Sequence, residues 1–345
     1  MLQRYLLIWL TLLSLVAYAW PTWISPAPSG NADAVAFDPF AITKPALKYL
    51  FAATMFAIGC LLPRDEIREV VRRWPAVLGG TAIQYTVMPV LAFVVGRLAN
   101  LPQDLMLGVI LVGCVPGAMA SNVLTMTARG NISYSVSLTT SATLLSPLVV
   151  PAVLYVMLKQ TNVDATAMAI EAFKLLIFQV VGPVLLGHFL SRQNSALERF
   201  MQRWGPVIAN LTILWIIAVV VNTNHTNLGT AGSTLIVVLL VINLLGYTAG
   251  FVGGRVLRLP GTMRRALTLE VGMQNAGLGS IMADQLFKDQ KITALPPALY
   301  TFGCMLTGTI LAQLWAMRGT AENNEQTGME KNPSEQDRRN STSDS

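Results

Sequence analysis

Charged side chains are scarce in this chain: Asp, Glu, Lys and Arg together make up 12% of its 345 residues. Soluble domains carry about 25%. With 53% hydrophobic residues and a mean hydropathy of +0.53, the deficit excludes a water-exposed globule and points to an integral membrane protein. Histidine is nearly missing. The two present, His188 and His225, lie near the ends of apolar segments with no Cys or carboxylate beside them, which leaves neither a zinc site nor a nucleophile–His pair. The three cysteines, Cys60, Cys114 and Cys304, fall in apolar runs without a C-x-x-C and read as small packing residues. Neither G-x-S-x-G nor H-E-x-x-H occurs, and no paired carboxylates lie at mid-depth, so the chain is not read as an enzyme. The net charge of +6 comes without a basic face or a base-stacking motif, which excludes nucleic acid as a partner.

Long apolar runs, by contrast, are abundant. At about 20 residues per crossing, ten spans are counted, near 2–20, 40–62, 74–97, 104–128, 131–158, 167–191, 204–222, 231–257, 264–287 and 294–317. Connections are short apart from the Pro- and Gly-containing stretch 21–39. The transmembrane part is therefore placed at 1–317. Residues 318–345 have almost no apolar content and read as a disordered cytoplasmic tail.

Arginines orient the spans. Arg64, Arg68, Arg72 and Arg73 follow span 2, Arg129 follows span 4, Arg192, Arg199 and Arg203 follow span 6, and Arg255, Arg258, Arg264 and Arg265 follow span 8. The opposite connections are poor in cations, so the even-numbered ones face the cytoplasm of a cell inner (plasma) membrane. Both termini are then inside if the first span is retained. Residues 1–20 also carry a basic start, an apolar stretch and Ala17-Tyr18-Ala19, the pattern of a cleavable signal peptide. The other nine spans keep their orientation in either case.

One charge stands apart. Glu270, in RRALTLEVGMQNAGLGSIMA, is the only carboxylate in the middle of a spanning segment. An ionised carboxylate at mid-membrane costs about 3 kcal/mol even on a lenient scale and survives by pairing. No Lys or Arg stands within a helical turn on its own face; Gly272, Gln274, Asn275 and Gly277 follow instead. They open the helix and supply oxygens, a pattern that suggests a cation site.

Span 4 carries a matching interruption, GCVPGAMASN. The two interrupted segments are the fourth of residues 1–160 and the fourth of 161–317. Five spans per half force the second half into the membrane from the opposite side, so the halves form inverted repeats, with broken helices 4 and 9 crossing at the midplane. Glycines alone would serve close packing, but packing does not account for Ser121 and Asn122 opposite Glu270, Gln274 and Asn275. Span 5 adds a row of hydroxyls on one helical face, Ser135, Thr139 and Thr143, and span 3 a lone polar residue, Gln84. Sodium, a hard cation, takes such oxygens.

GCVPGAMASNVLTMTARGNISYSVSLTTSATLLSP and LEVGMQNAGLGSIMA resemble the two signature regions of the bile acid:sodium symporter family, and the resemblance extends in segment order over most of 40–317. It implies an all-α, ten-helix membrane fold with core and panel domains and two sodium sites where helices 4 and 9 cross. Matching positions place one site at Ser121, Asn122, Ser135, Thr139 and Glu270. The other falls at Gln84, Glu270, Gln274 and the backbone carbonyls of Val271 and Met273. Asn275 would border the substrate cavity, with Thr143. Many bacterial members have a His-Asn pair in the last helix; here Cys304 and Met305 stand there, which alters the cavity on that side.

The function expected is sodium-coupled import of a small organic anion, whether bile-acid-like, keto acid or pantoate-like, by alternating access. Two sodium ions would be the coupling ions, with no other cofactor, and the partners would be sodium, the anion and the bilayer. The alternative is a proton-coupled or efflux permease of the same fold. Arsenite permeases of related architecture carry a Cys just after the helix-4 proline, where this chain has Gly117.

Overall fold

The computed structural model describes residues 6–24, 37–63, 66–159, 161, 163–226 and 232–331. Helices α1 (Leu6–Ala19), α2 (Pro39–Thr43), α3 (Leu47–Leu61), α4 (Glu66–Arg72), α5 (Trp74–Leu98), α6 (Gln103–Cys114), α7 (Ala120–Thr127) and α8 (Ile132–Leu158) build the first half. Helices α9 (Ala165–Leu176), α10 (Gly182–Gln193), α11 (Ser195–Thr223), α12 (Gly232–Val256), α13 (Gly261–Gly272), α14 (Ala276–Leu286) and α15 (Leu295–Lys331) build the second. Side-chain acceptors start several of them: Asp38 caps α2, Asn131 α8, Asp164 α9 and Asn194 α11, each accepting from backbone N–H groups of the first turn.

Among the described residues, seven helical stretches are long and apolar enough to cross a membrane. The other three expected spans are in pieces. Span 2 is the 15-residue α3 behind the short α2 and a 3₁₀ turn at Lys44–Ala46, span 4 is α6 plus α7, and span 9 is α13 plus α14. Span 6 is continuous but carries a π-helical turn at Ile177–Val181 between α9 and α10. Pro183 has no N–H for the carbonyl of Gln179, and Gly182 N–H reaches back to Ile177 instead.

Two groups of helices emerge from the packing. In one, α3 lies against α10 and α11, and α11 against α1; in the other, α12 packs on α13 and α5, α5 on α6 and α8, and α15 on α12, α14 and α6. Large apolar side chains such as Leu12, Leu148, Phe178, Phe189, Leu211 and Ile236 point outward and are exposed, as a lipid-facing surface requires. Asn222 of α11 donates to the Ala17 carbonyl (3.1 Å) and to Asp38 (3.0 Å), tying the end of α1 to the entry of α2.

The tail expected from residue 318 is helical as far as Lys331, continuing α15 through a run that includes the helix formers Ala321, Glu322, Glu325 and Gln326. Residues 332–345 lie outside the described part. So does most of the expected loop 21–39, whose start is a π-helical turn at Trp20–Ile24.

Helices α3 and α10 approach backbone to backbone. A Cβ on Gly187 would overlap the Phe56 carbonyl oxygen, and one on Gly59 would overlap that of Val184; small residues allow this closeness where no hydrophobic force drives helices together. Gly187→Ala is therefore expected to destabilise the protein by about 1–3 kcal/mol, read as a lower melting temperature in detergent. Gly303→Ala, where an added Cβ meets nothing within 4 Å, should leave that temperature unchanged.

Candidate functional site

The two helix breaks meet. Between α6 and α7 the chain leaves the helix at an extended Val115 and re-enters a helical conformation at Met119, and between α13 and α14 it is non-helical through Met273–Asn275. Gly117 and Gln274 form an antiparallel bridge. Ala118 N–H donates to the Met273 carbonyl (2.7 Å), and Asn275 N–H donates to the Pro116 carbonyl (2.8 Å). Backbone groups that would otherwise be stranded in the membrane thus satisfy each other. Gly117 must be glycine, because a Cβ there would overlap the Glu270 carboxylate.

The last carbonyl of α13 is held from elsewhere. Gly272 O accepts from Asn243 Nδ2 of α12 (2.8 Å) and from the Tyr300 hydroxyl of α15 (2.8 Å). Thr307 donates to Asn243 Oδ1 (2.6 Å), and Tyr247 donates to the Cys304 carbonyl (3.1 Å). Asn243, Tyr247, Tyr300 and Thr307 did not figure in the sequence reading. Asn243 could have done so, as a lone amide inside GSTLIVVLLVINLLGYTAG; the tyrosines carry no signal that separates them from core aromatics.

Glu270, one turn before the break, is fully buried. Its Oε1 accepts from Thr139 Oγ1 (2.8 Å) and its Oε2 from Ser121 Oγ. Among the described residues no Lys, Arg or His forms an ion pair with it. Two neutral hydroxyls do not balance the charge of a dehydrated, ionised carboxylate.

The remaining residues singled out from sequence fall as follows. Gln84 and Gln274, both buried, meet through Gln84 Nε2 and Gln274 Oε1 (3.4 Å), and Gln274 Nε2 donates to the Val271 carbonyl (2.9 Å). Val271 and Met273 are buried in the same turn. Asn122 lies 3.5 Å from Thr139 Oγ1. Ser135 pairs with Thr125 (3.2 Å), a buried hydroxyl absent from the sequence reading. A cavity between the two helix groups is lined by Met55, Val184, Asn122, Thr139, Thr143 and Asn275, among others. Asn275 also caps α14, accepting from Leu278 N–H (3.1 Å). Helices α7 and α14 both begin at this cavity, directing the positive ends of their dipoles toward it. Cys304 and Met305 do not line it: they sit on α15, where Cys304 is buried against Tyr247 of α12, so α15 braces the site from behind.

In comparisons with known proteins, residues 49–231 match the profile of the Sodium Bile acid symporter family. The chain is 34% identical over 266 residues to the uncharacterized sodium-dependent transporter YocS of Bacillus subtilis (strain 168), covering 76% of this chain and 81% of that one. It is 32% identical over 263 residues to the protein named "Probable sodium/metabolite cotransporter BASS1, chloroplastic" of Arabidopsis thaliana, covering 76% of this chain but only 64% of that longer one. The ileal sodium/bile acid cotransporter of Oryctolagus cuniculus is 28% identical over 269 residues, with 77% and 76% covered.

Gly117→Ala should force the Glu270 carboxylate off its two hydroxyl partners. The expected result is loss of any thermal stabilisation that sodium gives the purified protein, with α-helical circular dichroism retained.

Proposed function

The chain belongs to the sodium bile acid symporter family, and on that premise we propose that it is a sodium-coupled secondary transporter that imports a small organic anion. The observation that carries this reading is Glu270: a fully buried carboxylate with only neutral donors, at the contact of two broken helices. Sodium supplies the missing charge. In this reading the ten segments all cross the membrane as two inverted five-helix repeats, with both termini cytoplasmic. The group around α3, α10 and α11 is the panel, and the group around α5, α8, α12 and α13 is the core.

One sodium ion sits against Glu270, Ser121 and Thr139, with Asn122 and Ser135 completing its surroundings. A second sits between Gln84, Gln274 and Glu270, drawing on the carbonyls of Val271 and Met273. Ion binding neutralises Glu270 and stiffens the crossing. The cavity beside it then receives the anion against the N-termini of α7 and α14 and the side chains of Asn275 and Thr143. Rocking of the two groups exposes the cavity to either side in turn. Bile-acid-like molecules, keto acids and pantoate-like acids share the carboxylate that this arrangement recognises.

The competing reading, a proton in place of sodium or an outward flux, uses the same carboxylate, so one comparison decides. Uptake of a candidate anion into proteoliposomes is expected in sodium and not in choline at the same pH. Equal uptake in both would overturn sodium coupling. Glu270→Ala should abolish sodium-dependent uptake. Thr139→Val, which removes one donor to the carboxylate, should raise the sodium concentration for half-maximal uptake about tenfold. With two sodium ions per monovalent anion, uptake should also increase as the interior is made more negative.

A further inference from the structure

The cavity beside Glu270 occupies one side of the crossing only. Leu62 and Val184 line it from α3 and α10, and Val136 from the start of α8; all lie toward the ends that carry Arg64, Arg129 and Arg192, the cytoplasmic side by the positive-inside rule. Toward the other side the two helix groups close on each other through α14, mostly by apolar side chains such as Leu47, Leu176, Ile216 and Leu286, with two polar bridges among them. Asp284 and Gln285 are neighbours in the last turn of α14. Asp284 pairs with Lys44, in the turn leading into α3, at 2.8 Å. Gln285 and Gln179 exchange two hydrogen bonds, 2.8 and 2.9 Å, with Gln179 projecting from the π-helical turn that Pro183 imposes.

Behind the ion pair lies a second, smaller pocket lined by Lys44, Asp284, Thr223, Asn224 and Ser280 among others. Asn224 comes from α11 and Ser280 from α14, one from each group. Each residue is 1% exposed, yet among the described residues neither Asn224 Oδ1 nor Ser280 Oγ has a hydrogen-bond partner. Leu47, Ile216 and Ile281 line the same pocket, and among apolar neighbours a buried polar atom without a partner is costly. This seam keeps such atoms on both of its walls, where opening would wet them.

We propose that Lys44–Asp284 and Gln179–Gln285 form the outer gate of this transporter, a polar latch that is closed here and breaks when the cavity turns outward. The proposal rests on the transporter reading. The energetics are balanced in the way a gate requires. A half-exposed ion pair contributes little and a pair of amide bonds contributes modestly, while opening hydrates Asn224 and Ser280 in return. Both latch partners on α14 are adjacent in sequence, so one displacement of that helix end releases both bridges together.

The test is accessibility. Ser280→Cys is labelled in intact cells with a membrane-impermeant maleimide added outside; the native cysteines are buried, and the parent chain gives the background. Labelling should be slow with the latch intact and about tenfold faster when Asp284→Asn and Gln285→Ala are combined with it. Exchanging the charges, Lys44→Asp with Asp284→Lys, should slow it again. Equal rates with and without the latch, labelling only from the inner face, or failure of the charge exchange to restore protection would each overturn the gate. If the α14 double variant does not fold, Lys44→Gln with Gln179→Ala removes the same bridges from the other wall. Labelling reads geometry and not flux. A chain with latch-dependent labelling but no sodium-dependent uptake would overturn the transport reading and leave the gate standing.

Discussion

A helix that opens inside a membrane releases backbone N–H and C=O groups where no water can take them. Most of this structure answers that constraint. The two breaks are laid against each other so that Ala118 and Asn275 donate across to Met273 and Pro116. The carbonyl of Gly272 is taken by Asn243 and Tyr300. Glycine at 117 leaves room for Glu270 to lie against the exchange.

Glu270 is tolerable only because of what the breaks bring near it. Ser121 arrives on the first turn of α7, immediately after one break, and Thr139 from the middle of α8. Neither bond neutralises the charge. The hydroxyls orient the carboxylate without balancing its charge, and a cluster of oxygens around a carboxylate is chemistry that suits a hard monovalent cation. The relatives, named as sodium-dependent transporters and cotransporters, accord with the same reading from an independent direction.

Much of this could be read before any coordinates. Apolar runs mark the helices, the glycines and polar residues of GCVPGAMASN and EVGMQNAGLGS mark both breaks, and Ser121 and Thr139, grouped with Glu270 from the sequence, donate to its carboxylate. What escaped was set by contacts between segments distant in the chain. Asn243 and Tyr300 matter because α12 and α15 flank the end of α13, which spacing within one helix does not reveal. The resemblance puts Cys304 and Met305 at the cavity, as the positions of a His-Asn pair in the last helix, while the packing of α15 on α12 sets Cys304 against Tyr247 instead. Thr125 was hidden because a threonine near a helix end has many ordinary reasons to be there, and its pairing with Ser135 depends on how α7 folds back on α8. The helical run to Lys331 reflects local propensity outweighing a polar composition.

Among the described residues, the side chains hydrogen-bonded to the Glu270 carboxylate and to Gln274 come from α5, α7 and α8. A cation held there would travel with one rigid unit and keep the same ligands whichever way the cavity faces. Its intrinsic affinity would then be alike on the two sides of the membrane. Such a carrier would have no built-in direction: the combined gradients of ion, anion and voltage would decide whether it fills or empties the cell, and reversing them would run it backwards.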